Sequence, residues 1–189
     1  MLRFSKPCRN SICAFLASQQ PESFSYAEVG ASRGQAPGGY NVDHNRIELG
    51  RGFTAYERAK SAVKQWKMFE IPWIELCWPD TPIERGASVA VVASHLGFWS
   101  VNACRIVYVH EERNSVERYG FAYGTLPEHG ESGEERFTVE YNPEDESVWY
   151  DIYAFSRPRL LAYLGYPFSR ALQRRFVRDS KAAMRRAVL

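Results

Sequence analysis

No run of apolar residues in this 189-residue chain reaches the roughly 18 that a membrane-spanning helix needs, which excludes a helical span. Cysteine is scarce. Cys8, Cys13, Cys77 and Cys104 have no C-x-x-C spacing, so they read as free thiols in a reducing compartment, and the cytoplasm is the expected location. The chain has no nucleotide-type glycine loop, no Ser-His-Asp signature and no zinc helix motif, so none of those chemistries can be assigned from a motif. Internal repeats and low-complexity tracts are also missing. Acids are absent from the first 21 residues, which hold Arg3, Lys6 and Arg9, a composition shared with organelle transit peptides. Import therefore stays open beside a second reading. In it, Ile12, Phe15 and Leu16 have helical spacing behind a cap at Asn10 or Ser11, making a short docked helix.

Hydrophobic residues make up 45% of the chain and aromatic residues 14%, which describes a packed globular domain of one piece, 1–189. Within it, 1–20 reads as an N-terminal helix or extension and 157–189 as a helical tail. The aromatic excess fits a thick core or an aromatic-lined cavity equally. A net charge of +2 conceals two opposed blocks: 157–189 carries nine Lys/Arg and one acid, and 110–151 carries twelve acids and three Arg. Either the blocks lie close and neutralise each other, or the basic tail meets an acidic partner or anionic surface.

Phe24–Val29 and Tyr40–Leu49 read as extended pieces around a Gly/Pro-rich loop. A helix follows, with Thr54 and Glu57 at capping-box spacing and Tyr56, Ala59, Val63 and Trp66 on one face, and Pro72 stops it. Strands are then expected at Ile74–Trp78, Ser88–Leu96, Trp99–His110, Val116–Leu126, Glu135–Tyr141 and Val148–Phe155. Their short links require hairpins and hence an antiparallel meander. After Ser156-Arg157-Pro158, Leu160, Leu161 and Leu164 form an apolar patch. From Pro167, a helix carries Phe168, Leu172, Phe176, Ala183 and Ala187 on one face and Arg170, Arg174, Arg178, Lys181 and Arg185 on another. A sheet with one apolar face needs a cover, and this helix is the element long enough to cross it. The expected class is α+β: a curved antiparallel sheet gripping a long C-terminal helix, with room for a cavity between them.

Alternation along the strands sets Arg105 in an apolar row with Val101, Ala103, Val107 and Val109, and Glu135 in a row with Phe137, Val139 and Tyr141. Buried charges are paired or hydrogen-bonded, so Arg105 and Glu135 are expected to face each other or a polar ligand. The loop before Glu135 adds His129 among Glu128, Glu131 and Glu134, an imaginable acid-base pair with Glu135 or equally a solvated hairpin tip. A single histidine among carboxylates is a poor zinc set, so no metal and no cofactor are expected. Gly120, Ala122 and Gly124 leave one strand face nearly bare, open to close packing.

The segments FSYAEVG (24–30), RAKSAVKQWKMFEIPW (58–73), FAYGTLPEHGESGEERF (121–137) and SRPRLLAYLGYPFSRALQRRF (156–176) resemble the family catalogued as domain of unknown function 1990 (UPF0548-type). That resemblance implies a signature at Tyr123, Gly124, Thr125, His129, Glu134, Glu135, Arg136 and Ser156 to Pro158, and implies no mechanism. The element order is similar to lipid-transfer and polyketide-cyclase-like helix-grip proteins. The leading functional expectation is a soluble domain binding a small apolar or amphipathic ligand, with Arg105, Tyr123, Thr125, His129, Glu135 and Arg157 as its polar contacts. The alternatives are a hydrolase, cyclase or isomerase using His129 and Glu135, or an interaction module using the edge Arg170 to Arg185. Nucleic acid is not expected there, because no aromatic residues interleave with the cations.

Overall fold

In the computed structural model, which describes residues 2–158 and 166–189, the chain builds one antiparallel sheet and grips a helix against it. The elements are β1 (Leu2–Arg3), α1 (Arg9–Gln19), β2 (Asn41–Arg51), α2 (Phe53–Lys64), β3 (Ile74–Cys77), β4 (Ser88–His95), β5 (Phe98–Arg113), β6 (Glu117–Thr125), β7 (Glu131–Tyr141), β8 (Ser147–Pro158) and α3 (Tyr166–Val188). The sheet runs β2-β8-β7-β6-β5-β4-β3, with β1 added to the start of β5. The meander expected from short links is therefore present, and β2 extends it beyond β8. One end of the sheet is the four-residue β3, and the other is β2, where Asp43, His44, Arg46, Glu48 and Arg51 interrupt the apolar pattern. The apolar patch expected at Leu160, Leu161 and Leu164 lies outside the described residues.

The inner face holds the main core. Tyr119, Phe121 and Tyr123 of β6, Phe137 and Val139 of β7, and Tyr150 and Ile152 of β8 pack against Tyr56, Ala59 and Val63 of α2 and Met184 and Val188 of α3. Trp66 is buried with them, its ring edge-on to Phe121 at 4.8 Å, and its indole N–H donates to the carbonyl of Thr81. Two sequence expectations about helix ends change. α2 starts on Gly52, which has no side-chain cap, so Thr54 lies inside the helix and no capping box forms. α1 starts on Cys8, and Ser11 turns its hydroxyl back to the Cys8 carbonyl.

The outer face is covered too, as the nearly bare row Gly120, Ala122 and Gly124 led us to expect. Ile12 and Phe15 of α1 pack on Val101 and Ala103. The segment 24–34 crosses β6 and β7 as a strap instead of the expected strand; one backbone bond, Ser25 N–H to Thr125 O, ties it to the sheet, and side chains do the rest. The bare row on β6 explains the close approach: a Cβ at Gly124 would stand 2.1 Å from the Tyr26 hydroxyl oxygen.

Arg105 is the clearest correction. Its guanidinium does not meet Glu135. It lies on the outer face and donates to the carbonyls of Gln19 (2.9 Å), Gln20 (2.9 Å) and Glu22 (2.8 Å), closing the C-terminal end of α1. Those carbonyls have no partner within the helix and carry its negative dipole end, so a cation satisfies both needs. A shift in register between Ile106 and Tyr108 also breaks the row inferred from alternation, because one extra residue moves everything after it to the other face. Val107 stays outside with Tyr108, whereas Val109 packs on the inner core.

Substituting Gly124→Ala is expected to cost about 1–3 kcal/mol, since the strap must move off β6 to admit one methyl group. A lowered midpoint in urea, compared with an Ala substitution at the open Gly38, checks this; equal midpoints would show that the strap does not press on β6.

Candidate functional site

The pleat of β7 sends its residues to two different environments. Glu131, Gly133, Glu135 and Phe137 point inward, and Ser132, Glu134, Arg136 and Thr138 point outward. Inward, a cavity of about 1440 Å³ lies between α3 and the sheet, open at one side. Its walls are mainly apolar: Val91 and Ala93 of β4, Ile152 and Ala154 of β8, Leu172, Phe176 and Val177 of α3, and Phe69 and Trp73 between α2 and β3.

Tyr123 and Glu135 form the polar spot on this wall. The Tyr123 hydroxyl donates to Glu135 Oε2 at 2.7 Å. Removal from bulk water pushes the Glu135 carboxyl up to about 7; the Tyr123 bond opposes that shift, and the carboxylates of Glu131 and Asp43 add to it. Burial, then the facing carboxylate, pushes the Tyr123 hydroxyl upward as well. Glu131 is also raised by burial, against the bonds it accepts from Gln173 and Ser156. Gln173 of α3 donates Nε2 to both Glu131 oxygens at 2.5 Å, and Arg170 grips Asp43 of β2 with two N–H donors at 2.5 and 2.8 Å. These two ties hold the first turns of α3 over the cavity.

The remaining candidates separate. Thr125 lines the cavity but is occupied structurally: its hydroxyl donates to Gly133 O, receives the Gly133 N–H and bonds Ser25. His129 sits at the cavity rim, where its Nδ1 accepts the Glu131 N–H at 3.0 Å, while the partner of Glu135 is Tyr123. Arg157 is exposed and stacks over Tyr40 at 4.8 Å, outside the described lining, as Arg105 is. The cationic edge of α3 is uneven. Arg170 is paired with Asp43; Arg174, Arg178 and Lys181 line the cavity, and of these three Arg178 is paired, with Asp179.

Two residues that the sequence named only as neighbours of His129 or as part of the family signature have roles it did not assign. Glu131 shares the inner face with Glu135, a relation that period-two spacing gives once β7 is started at Glu131 instead of Glu135. Glu134 is buried on the outer face and accepts from Tyr26 Oη (2.7 Å), Gly30 N (2.8 Å), Ser32 N (3.1 Å) and Ser32 Oγ. Arg136 beside it donates to Ser32 O and Asp151. No local pattern announces this, because the donors come from a loop a hundred residues earlier in the chain.

The raised Glu135 carboxyl has a signed consequence. Between its unfolded value near 4.5 and about 7, the folded protein holds a proton that the unfolded chain has released. This contribution is complete below 4.5 and is lost as pH rises through 7, at up to ~1.4 kcal/mol per pH unit. Urea unfolding at several pH values across this window should show Glu135→Gln losing less stability than wild type as pH rises; parallel profiles would place Glu135 in contact with bulk water.

The model of the domain of unknown function DUF1990 matches residues 25–183. A UPF0548 protein of Dictyostelium discoideum is 32% identical, over all of this chain and 96% of its own. A UPF0548 protein of Deinococcus radiodurans is 35% identical, over 92% of this chain and 88% of its own. Among solved structures, a protein of Thermus thermophilus is similar over 79% of this chain and 96% of its own, with 14% identity and a TM-score of 0.48. With the family match spanning most of its length and these relatives aligned nearly end to end, the chain belongs to the DUF1990 (UPF0548) family.

Proposed function

We propose that the protein binds a small apolar or amphipathic molecule between α3 and the sheet, with Tyr123 and Glu135 as its polar anchor and Thr125 and His129 near the entrance. The observation that carries this reading is the cavity itself. At about 1440 Å³ it exceeds the ~300–1,000 Å³ of typical small-ligand sites. Its walls expose more apolar than polar surface, which rewards an apolar body, and the polar side chains set among them can orient a polar end. Arg105 and Arg157 have no part in it, since both are committed elsewhere.

Titration of an environment-sensitive apolar fluorophore, 1-anilinonaphthalene, should show saturable one-to-one binding to wild type. Ala154→Trp, which puts an indole into the cavity, should weaken it at least about tenfold without lowering the melting temperature appreciably. Absence of saturable binding, together with native mass spectra of gently purified protein that carry no added mass, would remove the reading.

A second reading has one observation in its favour: a carboxyl titrating at about 7 beside a phenol suits proton transfer near neutral pH. In that case the acid-base pair is Glu135 with Tyr123 instead of Glu135 with His129. In deuterium oxide, Glu135 should then take the proton next to the carbonyl of a small aryl ketone and solvent deuterium should replace it, an exchange that Glu135→Gln should abolish. Exchange equal in both proteins would leave Glu135 as a binding group only.

A further inference from the structure

Exposed apolar side chains gather where the cavity opens. Leu96, at the β4–β5 turn, is 79% exposed and holds a φ of 49°, a left-handed conformation usually given to glycine or a small polar residue. Phe168, in the first turn of α3, is 39% exposed and lies 5.6 Å from the ring of His95, the neighbour of Leu96. Phe4 is 86% exposed, and its ring lies 5.2 Å from that of Phe98, on the other side of the same turn. Leu96, Phe98 and Phe168 all line the cavity. A cluster of this kind on a protein surface marks a place where something apolar is met.

Charge at the opening narrows the choice. Arg174 and Lys181 line the same cavity and have no carboxylate partner among the described residues, whereas Arg170 and Arg178 are already paired. The acid Asp43 is held by Arg170, and Glu128 is the exposed acid among the described residues that line the cavity. Apolar tips beside unpaired cations fit a surface that offers hydrocarbon beneath a layer of negative charge.

We propose that the mouth of the cavity docks on an anionic bilayer surface, with Phe4, Leu96 and Phe168 entering the headgroup layer and Arg174 and Lys181 meeting its negative charge. The purpose assigned to docking, passage of an amphipathic molecule between leaflet and cavity, rests on the binding reading above; the docking itself does not. Vesicle sedimentation at about 0.1 M salt decides it, comparing phosphatidylcholine vesicles with and without about 30% phosphatidylserine.

Wild type should bind the anionic vesicles at least about tenfold more tightly than the neutral ones, and binding should fall as salt rises. The double variant Phe4→Ser/Leu96→Ser should lose at least about tenfold with an unchanged melting temperature, and Arg174→Glu/Lys181→Glu should lose a similar factor. Indifference of wild type to both vesicles overturns the proposal. So does vesicle binding that Phe4→Ser/Leu96→Ser leaves intact, which would be adsorption of charge alone. Tight binding to soluble heparin with the vesicles ignored overturns it in favour of an acidic macromolecule. Fluorophore uptake from buffer separates the two readings: uptake without vesicle binding defeats docking alone, and vesicle binding without uptake defeats the pocket alone.

Discussion

Two adjacent carboxylates on one strand, sent to opposite faces by the pleat, set the problem that the rest of the molecule answers. Glu134 is buried and Glu135 is half-buried in the cavity wall, and a carboxylate drawn out of water in such a place is costly unless it is compensated. On the outer face the answer is complete. The strap at 24–34 brings a phenol, two backbone amides and a serine hydroxyl to Glu134, and Arg136 fastens the same loop through the Ser32 carbonyl. On the inner face the answer is partial, since among the described residues Tyr123 supplies the one hydrogen bond to Glu135. The group left short of partners is the one that faces the cavity.

α3 is held by different forces along its length. Its far end is secured by burial, with Met184 and Val188 inside the main core and Ser180 bonded to Tyr150. Its near end is secured by polar ties, Gln173 to Glu131 and Arg170 to Asp43, which span the opening instead of filling it. Apolar packing along the whole helix would close the space. Polar ties at one end keep the helix in place while leaving volume beneath it, so the cavity follows from how the helix is attached.

Much of this was readable in the sequence. Alternation and short links gave the meander, the 3.6 spacing gave α2 and α3, and the row Gly120, Ala122, Gly124 foretold a close approach to β6. Counting along β7 set Glu135 in one row with Phe137, Val139 and Tyr141. Arg105 shows where counting stops. Its need for compensation was correctly inferred, but the partner proved to be the end of α1, a tertiary contact with no trace in local pattern. Val109 went astray because a bulge is one residue of backbone that composition does not reveal. Glu134 was underrated for a related reason: its partners Tyr26, Gly30 and Ser32 lie about a hundred residues earlier, and composition gives no sign that they return to β7.

The two ends of the sheet bear on what the molecule can expose safely. A foreign strand arriving at β3 would find four residues to pair with, and one arriving at β2 would meet a row of alternating charge. Neither margin is a good template for growth. Leu96 and Phe4 can therefore stand in water at the cavity mouth without recruiting neighbouring copies into a continuous cross-chain sheet.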